Sequence, residues 1–391
     1  MDFARWAFAG FVAGIALGTS PSLAQPQPQP QPEMSPDPMR PGGPGEFIEE
    51  PGFLRVKIAN RLVQLDSLVV RQRVFTGRLP IALVSHGLSS ARSQNAMIST
   101  ATLAPIARDL ARRGWLAVVV IRRGFGRSDG PVDLGNTCSI ADFERSLRGG
   151  AEDLAAALDE IRKRPDARHD QTIAIGASHG GAVSLALAAL RPTEIAAVIN
   201  LAGGLSNGAC RDGSQGVMAM IFAGFGLRMT AQTLWVYARN DSLFPEPWVD
   251  RVHEAAVTAG MRVRRVSAPD FGTDGHFVFS EPRLRQYWLA ELDHSMRAWG
   301  MPAWPTNWIS TFARTAGFEL GPHRSRIEGY ISAPGFKAAA ASRDRSRFWY
   351  VFASASQASA DRGALDLCTS ESRDGCDLVF RDNFAIPRAA P

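Results

Sequence analysis

The chain has 391 residues, 45% of them hydrophobic, and 43 Lys and Arg stand against 38 Asp and Glu for a formal net charge of +5. With a mean hydropathy of −0.09, this describes a globular protein able to bury one large core and carry an appendage. Lys occurs only at 57, 163 and 337, so the positive charge is scattered Arg interleaved with Asp and Glu, which argues against a nucleic-acid partner.

Residues 1–24 read as an export signal. Arg5 supplies the positive start, Trp6 to Leu17 the apolar run, and Ser22-Leu23-Ala24 a small-x-small cleavage site before Gln25. The apolar run is shorter than the roughly twenty residues that span a bilayer, so no stable membrane anchor is expected. Residues 25–45 are rich in Pro and Gln and form an extended tether, with folded chain expected from about Glu46. The four cysteines, 138, 210, 368 and 376, fit a periplasmic or extracellular compartment. Closeness in sequence favours a Cys368–Cys376 pair, which leaves Cys138 with Cys210, one of three possible connectivities. No C-x-x-C or His/Cys cluster suggests a metal, and no cofactor is expected.

Leu54, Val56 and Ile58 alternate with polar neighbours, and the run to Val70 continues in the same manner, which predicts a leading antiparallel hairpin. From Ile81 apolar strands alternate with helices. The strand Ile81 to Val84 ends at Ser85-His86-Gly87-Leu88, and Leu103, Ile106, Leu110 and Ala111 mark a helix face. Leu116 to Ile121 is a strand, Arg122 to Gly130 a loop, and Phe143, Leu147, Ala151, Leu154, Leu158 and Ile161 one face of a long helix. After the apolar run from Thr172 come strands at Ile195 to Leu201, Leu234 to Tyr237 and Val263 to Ser267, with helices at Trp248 to Ala259 and Arg283 to Trp299. Residues 46–300 thus predict an α/β fold, a mostly parallel central sheet with helices on both faces and ligands at the carboxyl ends of the strands. Gly203 to Gln232, with its apolar patch Met218 to Phe222, is expected to place one helix over the pocket. The extension 301–391 changes character, with strands at Phe336 to Ala341, Phe348 to Ala353 and Asp377 to Phe380 around a helix from about Gln357 to Leu367. That pattern predicts a small α+β module.

The chemistry centres on Gly176-Ala177-Ser178-His179-Gly180, where an apolar strand enters a small-residue turn and a helix leaves it. Such an elbow exposes the Ser178 hydroxyl, and the amide of His179, at the start of the helix, is available to a developing oxyanion. A serine hydroxyl needs a base, and the base an orienting carboxylate. Asp241 stands just past the strand ending at Tyr237, and His276 follows the last strand, in the order acid then base. Asp270 and Asp274, close to His276, are alternative orienters. The backbone amide of Leu88, after the early strand, is the second expected oxyanion donor. The remaining histidines, at 86, 169, 253, 294 and 323, occupy places that fit the base role less well.

These pieces resemble the α/β-hydrolase superfamily from about Ile81 to Trp299. Gly176-x-Ser178-x-Gly180, Asn240-Asp241-Ser242-Leu243-Phe244-Pro245 and Asp274-Gly275-His276-Phe277 are similar to the dienelactone hydrolase group in particular. The loop from Arg123 to Gly130 resembles that of serine aminopeptidases and acylglycerol lipases of the same fold. Dienelactone hydrolases proper carry cysteine at the elbow, so Ser178 points away from a lactone substrate and toward ordinary acyl transfer. The tail from about Gly329 is similar to a small module of unknown function found after exported bacterial proteins. The expectation is an exported serine hydrolase acting on small to medium carboxylic esters. The alternatives are an aminopeptidase-like serine peptidase, which would need Asp129, Asp212 or another carboxylate facing the pocket, and a non-catalytic envelope binding protein.

Overall fold

The computed structural model describes residues 47–72, 77–88, 92–132, 134, 137–205, 214–277, 279, 282–303, 308–333, 336–381, 384–386 and 388. The expected export signal and linker lie outside these residues, as do Cys210 and Asp212. Alternating residues build strands Phe47–Ile58 (β1) and Arg61–Gln72 (β2), paired antiparallel with Ile58 opposite Arg61. The two residues between them, Ala59 and Asn60, have φ of 46° and 63°. Both central residues of a two-residue hairpin take that sign because it matches the right-handed twist of the strands.

Next come strand Leu79–Ser85 (β3), helix Thr100–Arg112 (α1), strand Leu116–Val120 (β4), helix Ile140–Ile161 (α2), strand Ala167–Ala177 (β5) and helix His179–Leu190 (α3). Strand Ala197–Leu201 (β6), helix Ser214–Gly226 (α4), strand Gln232–Ala238 (β7), helix Glu246–Thr258 (α5), strand Arg262–Ala268 (β8) and helix Pro282–Ala298 (α6) complete this part. One sheet of eight strands runs in the order β1-β2-β4-β3-β5-β6-β7-β8. Pairing is antiparallel from β1 to β4 and parallel from there to β8. Strands β3, β4 and β6 are buried along their whole length, which is why they read as unbroken apolar runs. The chain crosses from one side of β3 to the other between β4 and β5, and Ser85 at the end of β3 lies beside Gly176 of β5. Such a reversal leaves a crevice at the carboxyl ends of the strands.

The segment Gly203 to Gln232 does contain one helix, α4. It packs beside α5 and α3, and Met218, Ile221, Phe222 and Phe225 enter the main core. An apolar helix gains most by joining a layer that removes its side chains from water.

The C-terminal part has its own four-stranded antiparallel sheet. Strands Phe336–Ser342 (β9), Phe348–Ser354 (β10), Cys376–Arg381 (β11) and Phe384–Ala385 (β12) lie in the order β10-β9-β11-β12. The alanines of β9 divide by the pleat. Ala338 and Ala340 meet Ala360, Ala364 and Cys368 of helix Gln357–Glu371 (α9), while Ala339 and Ala341 face Phe312, Phe318, Tyr330, Phe348 and Phe380. The second face is closed by helices Trp308–Thr315 (α7) and Leu320–Ser332 (α8), which the sequence reading did not include. A disulfide between Cys368 and Cys376 joins the end of α9 to the first residue of β11. Cys138 is also disulfide-bonded, and its expected partner, Cys210, is outside the described residues. Among the described residues no helix is long and apolar enough to cross a membrane.

Candidate active site

Strand β5 ends at Ala177 and α3 begins at His179, so the turn between them is the single residue Ser178, at φ 52° and ψ −127°. That conformation is costly for a side-chain-bearing residue and persists only where neighbours enforce it. The neighbours are glycines of necessity. A Cβ on Gly176 would lie 2.1 Å from the Gly180 carbonyl oxygen, and one on Gly180 2.4 Å from that of His86. The elbow leaves Ser178 half-buried, and the N–H of His179, as the first of α3, has no intrahelical acceptor.

Ser178, Asp241 and His276 come together from three strand ends. The Ser178 hydroxyl lies 3.0 Å from Nε2 of His276, whose Nδ1 is 3.0 Å from Oδ2 and 3.1 Å from Oδ1 of Asp241. A nitrogen facing a carboxylate carries the proton, so Nε2 presents its lone pair to the hydroxyl. Asp241 and His276 are both buried. Oδ1 of Asp241 also accepts from the amides of Leu243 and Phe244, each at 2.9 Å, which holds the carboxylate in one orientation. The Phe244 ring stands edge-on to the imidazole, with centroids 5.5 Å apart.

Neither alternative carboxylate reaches the imidazole ring. Asp270 pairs with Arg239 at 3.1 Å. Asp274 accepts from the amides of Ser242 (3.0 Å) and His276 (2.9 Å) and from the Ser242 hydroxyl (2.7 Å), so it ties the loop of Asp241 to the loop of His276. Partial burial pulls its pKa up, but the hydrogen bonds from His276 and Ser242 outweigh this and hold it below the ordinary aspartate value. Asn240 adds to the seam through Phe271, its side chain accepting from that amide (2.9 Å) and donating to that carbonyl (3.0 Å).

Beneath the elbow lies a polar cluster that sequence reasoning missed. Arg122, read as the start of a loop, is fully buried, and burial pushes its pKa down to about 9 against the opposing effect of Asp153. It donates to the Ser85 hydroxyl (2.5 Å), the His86 carbonyl (2.6 Å) and Nδ1 of His179 (3.0 Å). Because a guanidinium only donates, Nδ1 of His179 accepts, and its Nε2–H is left for the Ser146 hydroxyl at 3.3 Å. Burial first, and then Arg122, lower the pKa values of His86 and His179 well below the usual histidine range. An Arg directly after an apolar strand gives no sign in sequence of turning inward.

Leu88 follows Gly87, whose position is against the elbow, since a Cβ there would meet that of Ser178 at 3.2 Å. The other histidines serve elsewhere. His169 hydrogen-bonds the Arg162 carbonyl, His253 lies against Trp235, His323 against Phe318 and Phe348, and His294 is exposed. Asp129 accepts from the amide of Gln64 in β2 at 2.8 Å. Among the described residues no group of His, Cys, Asp and Glu is arranged to hold a metal ion.

A family model described as alpha/beta hydrolase fold matches residues 83–234. No curated protein matches the chain by sequence. Among solved structures, a provisionally assigned dienelactone hydrolase from Klebsiella pneumoniae is 17% identical, over 62% of this chain and 97% of its own, with a TM-score of 0.44. Acetyl xylan esterase 1 from a Thermoanaerobacterium species is 18% identical, over 58% of this chain and 82% of its own, with a TM-score of 0.39. An acylaminoacyl peptidase from Pyrococcus horikoshii is 16% identical, over 72% of this chain and 44% of its own, with a TM-score of 0.48. The chain has the α/β-hydrolase fold, with a small second sheet at its C-terminal end, and its residues 83–234 are similar to the family of that fold.

Proposed function

We propose that the protein is an exported serine hydrolase that cleaves carboxylic esters through Ser178, His276 and Asp241. Ser178 Oγ attacks the acyl carbon while Nε2 of His276 takes its proton, and Asp241 stabilises the imidazolium that results. The amides of His179 and Leu88 hold the negative oxygen. His276 returns the proton to the departing alkoxide, leaving an acyl-serine. Water then attacks that ester with His276 again as base, and collapse of the second oxyanion intermediate releases the acid and restores Ser178. No metal or cofactor enters these steps.

The observation that carries the reading is the unbroken relay from the Ser178 hydroxyl through His276 to Asp241, at 3.0 Å on each side of the ring. A cleaver of peptides from the amino end needs a carboxylate that meets an ammonium; of the two candidates for it, Asp129 accepts from the Gln64 amide at 2.8 Å and Asp212 lies outside the described residues. A protein that binds without turnover has no use for a serine held at φ 52° beside a neutralising base. Export rests on the features of residues 1–24 and on the Cys368–Cys376 disulfide.

The test uses the protein and its Ser178→Ala variant with a fluorophosphonate probe and p-nitrophenyl esters from acetate to octanoate. Labelling is expected in the parent protein alone, and the variant should lose turnover by on the order of 10⁴-fold or more. A folded parent protein that neither labels nor hydrolyses any ester of the series would overturn the assignment.

A further inference from the structure

Ser178 is held by its backbone as well as by its hydroxyl, and the segment that leaves β6 does the holding. The Ser178 N–H donates to the Leu201 carbonyl at 2.9 Å, and the Ser178 carbonyl accepts from the Gly204 amide at 3.2 Å. Between those contacts the chain turns at Ala202, whose φ of 48° is costly for a residue with a side chain and persists only where neighbours enforce it. The same turn reaches toward the base. A Cβ on Gly204 would lie 2.6 Å from the Phe244 ring, which stands edge-on to His276, so the turn touches both the nucleophile's backbone and the ring that backs the imidazole.

A buried phenol fixes the turn. The Tyr237 hydroxyl, on β7, donates to the Gly203 carbonyl at 2.5 Å and accepts from Nδ2 of Asn200, on β6, at 3.0 Å. The Gly203 carbonyl and the Gly204 N–H belong to one peptide unit, and since the described residues contain no cis peptide they point in opposite directions. Holding the carbonyl toward Tyr237 therefore aims the N–H at Ser178. Burial raises the pKa of the phenol, which keeps its proton for that carbonyl. Oδ1 of Asn200 has no partner among the described residues, so the asparagine side chain supports the phenol and bonds no backbone atom of the turn.

We propose that Tyr237 is a positioning residue whose hydroxyl, acting through the Gly203–Gly204 peptide, holds Ser178 where its own hydroxyl meets His276. The proposal rests on the serine-hydrolase reading above. Two substitutions separate it from a general structural role. Tyr237→Phe keeps the ring and removes the bond to Gly203. Asn200→Ala breaks the contact between Asn200 and Tyr237 but leaves the phenol able to donate to Gly203.

The readouts are kcat, KM and the rate of fluorophosphonate labelling, with thermal unfolding measured alongside. Labelling carried to its end point counts folded sites, while its rate reports how well Ser178 and His276 are aligned. Tyr237→Phe should label completely but about tenfold more slowly, with a similar loss in kcat and KM within about twofold of the parent protein. Asn200→Ala should stay within about threefold of the parent in all three, whatever it loses in melting temperature. Equal slowing by the two substitutions, or labelling of Tyr237→Phe at the parent rate, would overturn the proposal. Should Tyr237→Phe fail to fold, Asn200→Asp is read in its place, because a carboxylate only accepts and draws the phenol's proton away from Gly203. It must slow labelling with Tyr237 intact, and an unchanged rate overturns the proposal equally. A parent protein with no ester turnover and no labelling would sink the hydrolase reading and this proposal together, whereas an active parent with indifferent variants would sink this proposal alone.

Discussion

Asp274 shows how a residue close to the chemistry can matter without touching the reacting atoms. Its carboxylate accepts from Ser242 and from the amide of His276, so it ties together the loops that carry Asp241 and His276. Asp274→Asn replaces one acceptor oxygen with a donor aimed at other donors. Hydrogen bonds to a charged group are worth about 1.5–3 kcal/mol, and a partial loss should lower kcat about tenfold. The same substitution should lower the melting temperature in a pH-dependent way. A carboxyl whose folded pKa lies below its unfolded value contributes stability in full above the ordinary aspartate pKa, about 3.9, and loses it as pH falls through the folded value. The gap between parent and variant should therefore be widest near neutrality and close in acid, and thermal unfolding between pH 2 and 7 measures it. A gap that does not vary with pH would show that the charge is irrelevant. At this scale the meeting of Ser178, Asp241 and His276 in space was legible because each follows a recognisable strand in a fixed order. Asp274 and Arg122 were not, since their roles depend on which backbone atoms they meet, and that is set by packing between distant segments.

Among elements, α1 and α6 are joined by a buried ion pair. Arg113, at the end of α1, donates through Nε and Nη2 to both oxygens of Asp293, each at 2.7 Å, and both side chains are under a tenth exposed. Removing one partner of such a pair costs about 3–5 kcal/mol, whereas replacing both by apolar groups of similar size is often nearly neutral. Asp293→Ala is expected to lower the free energy of urea unfolding by an amount in that range. The double variant Arg113→Met, Asp293→Leu should lose clearly less than Asp293→Ala. Equal losses would mean that packing, not charge, sets the cost. Strand and helix alternation was readable because buried strands leave continuous apolar runs. Helices α7 and α8 were not, because Phe312, Phe318 and Tyr330 are explained only by a sheet whose strands come later in the chain.

At the scale of the molecule there are separate cores, one under the large sheet and others on the faces of the small one. Trp115 reaches from the start of β4 to the Pro302 carbonyl at 3.1 Å, at the beginning of the extension. The large sheet was legible as a mostly parallel one because its buried strands alternate with helices, while its strand order was not, because apolar runs do not announce which neighbour each will meet.

The last strand of that sheet carries a further consequence. β8 has one neighbour, β7, and most of its residues are partly exposed, yet the loop that follows it holds His276. A rim strand can detach at a lower free energy than the interior requires to unfold. Gentle warming should thus silence the enzyme while nearly all of its helices and strands endure. In hydrogen–deuterium exchange the amides of 262–268 should take up deuterium before those of 116–120, and catalysis should fade with the former. If both segments and activity are lost in a single step, the rim is as firm as the centre. If they separate, the protein has a fuse at the edge of its sheet, and it will stop working well before it comes apart.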